Sequence, residues 1–229
     1  MLVREAYILA GPTASGKSDI AADLAREMGA WILSADSMLV YRGMDIGTAK
    51  PSAAEREEFH MGGVDVVTPT EEFSSGAWLR AAAAWAAAVP KDVPIVIVGG
   101  TGLYFSALLR GLDRRWEKPP PEYPVIRIDR AVVRARIAAR LDAMFMAGLD
   151  AEKRRLKELY PVWSRTASLA IGYREGDDRA KILTRTCQLA KRQDTWFRHQ
   201  ATPIYVDPSA EAVRACWQSR GPWKVSFPT

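Results

Sequence analysis

Cysteine and histidine are scarce in this 229-residue sequence, which has two residues of each. The two cysteines, Cys187 and Cys216, are too few for a disulfide framework or a four-ligand metal site, so we expect both to be packing thiols. The histidines have no partners at ligand spacing either. The sequence therefore gives no signal for a zinc centre or a disulfide-rich fold.

Long hydrophobic runs and internal repeats are also lacking. No apolar stretch approaches the roughly 20 residues that a membrane-spanning helix needs. The first residues include Glu5 and lead directly into a predicted strand, which leaves no room for a signal peptide. The composition, 48% hydrophobic and 26% charged, is typical of a globular protein with a sizeable core. We therefore expect a cytoplasmic protein with no membrane partner.

Positive charge slightly exceeds negative charge, with 32 Lys and Arg against 27 Asp and Glu and a net charge of +5. The cations concentrate in the second half of the chain, in the stretches 127–140, 153–157 and 179–198. Such a bias is compatible with a nucleic-acid partner, but proteins that bind no nucleic acid often share it. Charge alone leaves both alternatives open.

Apolar runs and helical patterns alternate along the chain. The runs predict strands at 7–10, 31–33, 64–67, 95–98, 125–128 and 204–206, and the helical patterns predict helices at 18–28, 78–89, 130–146 and 179–199. Strands that are apolar throughout and interleaved with helices are typical of a parallel sheet covered on both faces. The sequence therefore predicts an α/β fold.

The segment between the first predicted strand and helix has the pattern G-x-x-x-x-G-K-[ST]. In this context the pattern forms a phosphate-binding loop, because its backbone N–H groups and the helix N-terminus face one anion. The residues that we expect to hold phosphates are Gly11, Pro12, Thr13, Ala14, Ser15, Gly16, Lys17 and Ser18. Lys17 supplies positive charge, and the Ser18 hydroxyl can ligate Mg²⁺. A P-loop NTPase-like parallel sheet flanked by helices is thus the expected fold.

Four further motifs follow in order along the chain. They are DSMLVYRGMDIGTAKP at 36–51, GGTGLY at 99–104, IGYRE at 171–175 and AKRQDTWFR at 190–198. Together with the phosphate-binding loop, this series resembles the tRNA dimethylallyltransferases, also called isopentenyltransferases. The resemblance implies transfer of a dimethylallyl group from its diphosphate, with Mg²⁺, to N6 of the adenosine beside the anticodon of certain tRNAs.

The implied reaction suggests roles for two residues. An exocyclic adenine amine is a poor nucleophile, so a carboxylate that accepts its proton assists the attack, and we expect Asp36 to be that group. A lone Asp after a strand is also common as the cap of a turn. The threonine that matches Thr101 works beside the aspartate in the family, whereas without the resemblance Thr101 could equally shape a turn.

Binding residues are expected on both sides of this pair. We expect that some of the cations on the predicted helix 179–199 reach the diphosphate, namely Arg185, Lys191 and Arg192. The residues expected to contact the tRNA anticodon stem-loop are Asp36, Ser37, Met38, Leu39, Arg42, Lys50 and Arg174. Tyr41 and Met44 are expected to stack on an extruded base. We expect the enzyme to be a monomer.

The chain departs from the family pattern after residue 112. The family normally inserts a helical tRNA-binding subdomain there, whereas here a short connection, 113–123, joins core segments 1–112 and 124–229. Either the protein is naturally trimmed or a segment is missing from the sequence as given. Leu39 also replaces the usual Gln. Three alternatives therefore stay open: an isopentenyltransferase of free adenine nucleotide, a P-loop small-molecule kinase, and a nucleic-acid-binding protein without catalysis.

Overall fold

Six strands form one sheet in the part of the protein that the computed structural model describes, residues 2–112 and 119–228. The strands are β1 (Leu2–Ala10), β2 (Trp31–Ser34), β3 (Ile95–Gly99), β4 (Glu122–Ile126), β5 (Thr202–Val206) and β6 (Trp223–Phe227). The helices are α1 (Lys17–Met28), α2 (Ala53–Glu58), α3 (Ser75–Ala88), α4 (Gly102–Arg110), α5 (Arg130–Met146), α6 (Leu149–Leu159), α7 (Arg179–Gln200) and α8 (Ala210–Arg220). A 3₁₀ turn covers Ala167–Leu169.

The strand order determines where the functional loops meet. Strands β2, β3, β1, β4 and β5 lie side by side in that order and all run parallel, while β6 pairs antiparallel with the first half of β1. The carboxyl ends of the parallel strands therefore share one edge of the sheet. Open α/β sheets bind their ligands at this edge.

Alternating side chains along the strands build a core on each face of the sheet. Ile8 and Ile97 point to the face covered by α3, α4 and α7, and Leu9 and Val96 point to the face covered by α1 and α8. Burial on both faces explains why the parallel strands are apolar throughout. The predicted α/β fold is confirmed, and of the two free cysteines Cys216 is buried and Cys187 half-buried.

The structure differs from the predicted elements in one strand that does not form and in several elements that were not predicted. The predicted strand at 64–67 is wrong: Asp65 has a φ of 51°, and Val67 forms only an isolated bridge to Tyr41. A residue with positive φ interrupts the extended backbone that a strand requires. Strand β6 and helices α2, α4 and α8 were not predicted.

The connection after α4 is too short for a subdomain. Eleven residues separate Arg110, the end of α4, from Glu122, the start of β4. Residues 113–118 of the expected connection lie outside the described part of the chain. A helical insertion of several tens of residues is therefore absent between these two elements.

Candidate active site

The phosphate-binding loop joins β1 to α1 at the carboxyl edge of the sheet. Gly16 has a φ of 88°, a conformation that glycine adopts without strain, and it caps the start of α1. Gly11, Pro12, Ser15 and Lys17 are buried, Thr13, Ala14 and Gly16 are half-buried, and Ser18 is exposed. The Ser15 hydroxyl makes no hydrogen bond to any described residue. An unpartnered buried hydroxyl within this loop fits a site that receives an anion.

Side chains of helices α5 and α7 form hydrogen bonds to this loop. Arg136 donates to the carbonyl of Ser15 (3.1 Å), and Arg140 donates to the Thr13 hydroxyl (2.7 Å). The side-chain oxygen of Gln193 accepts from the Thr13 N–H (2.8 Å), and its side-chain nitrogen donates to the carbonyl of Gly100 (3.0 Å). Gln193 thus connects the phosphate-binding loop to the loop after β3. A Cβ at position 100 would collide with this amide.

Lys17 is the buried cation of the loop. Its ammonium donates to the carbonyl of Pro12 (3.3 Å). Burial lowers the pKa of Lys17 to about 8, and nearby Arg140 adds to this effect while the Asp36 carboxylate opposes it. Burial also lowers the pKa of Arg140. Two desolvated cations in one place favour a strongly anionic ligand.

The loops after β2 and β3 bring Asp36 and Thr101 together. The Thr101 hydroxyl accepts from the N–H of Ser37 (3.0 Å), and the N–H of Thr101 donates to the carbonyl of Ala35 (3.1 Å). Asp36 uses Oδ1 to accept from the N–H of Met38 (2.9 Å), which is the turn cap considered from the sequence. Its other carboxylate oxygen makes no hydrogen bond to a described residue. Asp36 can therefore cap the turn and still accept a proton.

A cleft of about 580 Å³ lies between these loops and helices α5 and α7. Its walls include Thr13 from the phosphate-binding loop, Asp36 and Thr101 from the neighbouring loops, and Arg140 and Gln193 from the helices. An anion-binding loop and a carboxylate thus face the same space. This arrangement can hold a phosphorylated molecule on one side and a proton donor on the other.

The cations expected on α7 divide into two groups. Arg185 and Arg192 line the cleft, whereas Lys191 lines a shallow surface depression on the same helix, so Lys191 does not reach this space. Arg185 is held by the buried carboxylate of Glu175 (2.8 Å), which also accepts from Arg174 (2.8 Å). Arg174 lines the cleft as well. The buried Glu175 carboxylate therefore fixes two of the guanidinium groups that line the cleft.

The segment expected to receive RNA is only partly available. Ser37 and Met38 line the cleft, whereas Leu39 is half-buried and does not. Arg42 lies on the surface and donates to the carbonyls of Asp65 (2.8 Å) and Val66 (3.2 Å).

The expectations for Lys50, Tyr41 and Met44 are corrected by the structure. The Lys50 ammonium is fully buried and donates to the carbonyl of Tyr41 (2.7 Å) and to the carboxylates of Asp45 (2.7 Å) and Asp65 (2.6 Å). Because an ammonium has three donors, none is left for a phosphate. Tyr41 and Met44 have no exposed surface and belong to the core, so neither can stack on a base.

Glu152 of α6 is a residue whose role the sequence did not reveal. Its buried carboxylate accepts from the N–H groups of Asp45 (3.0 Å), Ile46 (2.8 Å) and Gly47 (3.1 Å) and from the Tyr173 hydroxyl (2.6 Å). Gly47 lines the cleft. Glu152 therefore fixes the cleft wall formed by the 45–47 segment.

The described residues around the cleft offer few ligands for a metal ion. The described residues contain no group of three His, Cys, Asp or Glu side chains that could hold one. Mg²⁺ usually keeps several waters and binds one or two protein oxygens together with substrate phosphates. The exposed Ser18 hydroxyl, in the first turn of α1, fits that role.

No described helix is long and apolar enough to cross a membrane.

The fold and this loop define a P-loop α/β protein with a cleft beside the loop. An isopentenyl transferase family model matches residues 4–61, and the IPP transferase family model matches residues 39–125 and 116–200. The chain belongs to the IPP transferase family. The resemblance inferred from the five sequence motifs is therefore confirmed.

Relatives that align over most of the chain are named tRNA dimethylallyltransferases. A tRNA dimethylallyltransferase of Xylella fastidiosa (strain M12) is 40% identical over 298 aligned residues, covering 91% of this chain and 94% of that protein. Another, of Acidithiobacillus ferrooxidans (strain ATCC 53993 / BNL-5-31), is 31% identical over 288 residues, covering 90% and 91%. The tRNA isopentenylpyrophosphate transferase structure of Staphylococcus epidermidis has a TM-score of 0.80 at 23% identity, covering 94% and 99%.

The lengths of these alignments show that the chain is shorter than its relatives. They run over 288 and 298 residues, although this chain has 229, so the relatives contain tens of residues that this chain lacks. The IPP transferase match is also split, and its two parts overlap at 116–125. Both facts agree with the missing insertion between α4 and β4.

Proposed function

We propose that this protein transfers a dimethylallyl group from dimethylallyl diphosphate to N6 of the adenosine adjacent to the anticodon in tRNA and releases diphosphate. The observation that carries the proposal is one cleft that is lined both by Thr13 of the phosphate-binding loop and by the Asp36–Thr101 pair. A P-loop kinase would also use an acidic residue at a strand end, which Asp36 after β2 could supply, but a kinase does not explain the motifs at 36–51 and 190–198. The family membership favours prenyl transfer over phosphoryl transfer.

The diphosphate is assigned to the phosphate-binding loop. Negative charge on the leaving oxygen grows as the allylic C–O bond stretches, so fixed donors stabilise the transition state more than the ground state. The loop N–H groups, the Ser15 hydroxyl and Lys17 supply these donors, and Arg185 and Arg192 complete the site from α7. Lys191 is left out because it does not line the cleft.

The adenosine is assigned to the side of the cleft that holds Asp36. The N6 lone pair forms a bond to the allylic carbon, the C–O bond breaks with its electrons on the diphosphate, and the amine proton passes to the free oxygen of Asp36. The Thr101 hydroxyl, which accepts from the N–H of Ser37, can donate its own proton to the bound substrates. Thr101 is therefore the second catalytic residue of the proposal.

Mg²⁺ is the expected cofactor of this reaction. The Ser18 hydroxyl and the diphosphate oxygens would hold it, and it would supply positive charge that offsets the charge of the leaving group. Ser18 is exposed and makes no hydrogen bond to a described residue, so its oxygen is available.

The tRNA anticodon stem-loop is the proposed partner. Around the cleft opening, Ser37, Met38 and Arg174 are the residues best placed to contact it, with Arg42 and Leu39 further out. We expect the enzyme to work as a monomer in the cytoplasm, where tRNA is modified. The family implies this environment.

One set of incubations tests the proposal against its rivals. Labelled dimethylallyl diphosphate is incubated with unmodified tRNA or with AMP, and labelled ATP is incubated without a prenyl donor. We expect label at N6 of the tRNA adenosine and none in the other reactions. Transfer to AMP alone would indicate a free-nucleotide enzyme, which the missing insertion would suit, and phosphoryl transfer from ATP would indicate a kinase.

A further inference from the structure

A second cavity, of about 270 Å³, lies beside the reaction cleft. Its lining combines three aromatic residues, Tyr160, Trp163 and Tyr173, with three cations, Lys153, Lys157 and Arg174. None of the roles assigned above uses this aromatic surface. The volume is below the range of drug-sized pockets and suits a single ring system.

The aromatic wall of this cavity is held in place. The rings of Trp163 and Tyr173 lie with centroids 5.7 Å apart at 54°. Tyr173 is buried, and its hydroxyl is fixed by Glu152. Trp163 packs against the main core and leaves part of its ring on the cavity. The wall is therefore a preformed surface on which a planar group can stack.

The charge of the cavity is positive. The Lys153 ammonium already has three partners: the carboxylates of Asp150 (2.6 Å) and Asp177 (2.9 Å) and the carbonyl of Gly176 (2.8 Å). Lys157 is exposed and makes no ion pair with a described residue. Arg174 donates to Glu175 through Nε, and its two terminal nitrogens stay available to a ligand. No carboxylate is among the described lining residues, so the cavity suits a planar group that carries negative charge.

The cavity adjoins the reaction cleft at Arg174, which lines both spaces. A polynucleotide whose adenosine enters the cleft would bring its neighbouring nucleotide to Arg174. A nucleotide also provides both a stacking face and a phosphate.

We propose that this cavity binds a nucleotide that flanks the reacting adenosine, with its base on Trp163 and its phosphate between Lys157 and Arg174. The inference rests on the proposed function, because it requires RNA in the cleft. It gives this chain a site that holds the anticodon loop without a further subdomain.

Trp163→Leu removes the stacking surface, and Trp163→Phe retains an aromatic ring. We expect Trp163→Leu to weaken the Kd for an anticodon stem-loop by about 5- to 100-fold, the range for loss of one stacked base. Trp163→Phe should lie within about threefold of the wild type. The affinity for dimethylallyl diphosphate and the single-turnover rate at saturating RNA should not change in either variant.

Abasic RNA identifies the occupant. An abasic residue is placed on either side of the target adenosine, and each RNA is titrated against the wild type and Trp163→Leu. At one of the two positions we expect the abasic RNA to bind the wild type more weakly than the normal RNA does. Trp163→Leu should bind both RNAs with the same affinity. Additive losses at both positions would overturn the proposal.

The remaining outcomes separate this inference from the proposed function. Wild-type protein that fails to prenylate any RNA would refute the proposed function itself. Normal prenylation together with unchanged RNA affinity in Trp163→Leu would refute only the nucleotide site and would favour a peptide ligand there. If Trp163→Leu fails to fold, Lys157→Ala replaces it in the same titrations, because this exposed side chain lies outside the core. Unchanged RNA affinity and unchanged salt dependence in Lys157→Ala would also overturn the proposal.

Discussion

Lys17 and Asp36 differ in the step that each supports. Lys17 lies in the loop assigned to the diphosphate, whereas Asp36 faces the cleft from the loop after β2, two strands away in the sheet. We expect Lys17→Ala to weaken diphosphate binding by about 10- to 100-fold, because a charge-assisted contact is lost. Asp36→Asn should leave donor binding nearly intact and slow transfer by about 10²- to 10⁴-fold, as for a lost general base.

Calorimetric titration with dimethylallyl diphosphate and single-turnover transfer measure the two effects separately. Asp194→Asn is a suitable control, because this aspartate lies on the outside of α7 in an ion pair with Arg198. It should change neither quantity. Equal loss of donor affinity in Lys17→Ala and Asp36→Asn would contradict the division of labour.

The pKa of Lys17 predicts a pH dependence of donor binding. The ammonium has its charge below about pH 8 and loses it as the pH rises through that value, because burial has lowered the pKa from its ordinary value near 10.5. A diphosphate binds the charged form better, so donor affinity should fall above pH 8 by up to about tenfold per pH unit. Lys17→Met should bind weakly at every pH and show no such fall. A wild-type affinity that is constant from pH 7 to pH 9.5 would refute this prediction.

Among the helices, α6 acts on the cleft through Glu152. This carboxylate accepts three N–H groups of the 45–47 segment, and Gln at this position would turn an amide N–H₂ towards some of these donors. We expect Glu152→Gln to reduce the free energy of unfolding by about 1–3 kcal/mol. It should also speed hydrogen exchange at the N–H groups of Asp45, Ile46 and Gly47.

Urea denaturation and exchange measured by NMR test this prediction. Glu158→Gln is the matched control, because Glu158 lies on the same helix and is exposed. It should leave stability within about 0.5 kcal/mol of the wild type. Unchanged exchange at the three N–H groups in Glu152→Gln would show that Glu152 does not hold this segment.

The sequence predicted elements and residues whose signals are local. The parallel strands, α5 and α7 follow from continuous apolar runs and helical periodicity, and Asp36 and Thr101 follow from motifs at strand ends. Strand β6 was missed because it is a short run that pairs with β1 from the far end of the chain. Glu152 and Gln193 were given no role because each contacts loops that lie 105–107 or 93–180 residues away. Such contacts between a helix and a distant loop depend on the tertiary fold. Gln193 belongs to the motif at 190–198, but the motif does not show which loops its amide joins.

The chain lacks tens of residues that its relatives contain, so it offers less surface to the tRNA of the proposed reaction. Four arginines line the cleft, namely Arg140, Arg174, Arg185 and Arg192, and two of them, Arg185 and Arg192, are assigned to the diphosphate, so few cations there remain for RNA phosphates. With roughly three to five phosphate contacts, log K for tRNA should fall with log salt concentration at a slope of about −2 to −4. Fluorescence anisotropy of labelled tRNA at 50–200 mM salt measures this slope. A salt-independent affinity would argue against RNA and favour a free nucleotide.

The central claim is that the donor and the target adenosine occupy one cleft, which requires the base to leave its stack in the anticodon loop. The acceptor nitrogen must come within about 3–3.5 Å of the allylic carbon, and a stacked base cannot enter a cleft between two helices and a sheet edge. The most direct measurement is the fluorescence of 2-aminopurine at the target position. We predict a rise in emission when the enzyme binds in the presence of diphosphate. No rise, together with full prenylation of the normal RNA, would contradict the account.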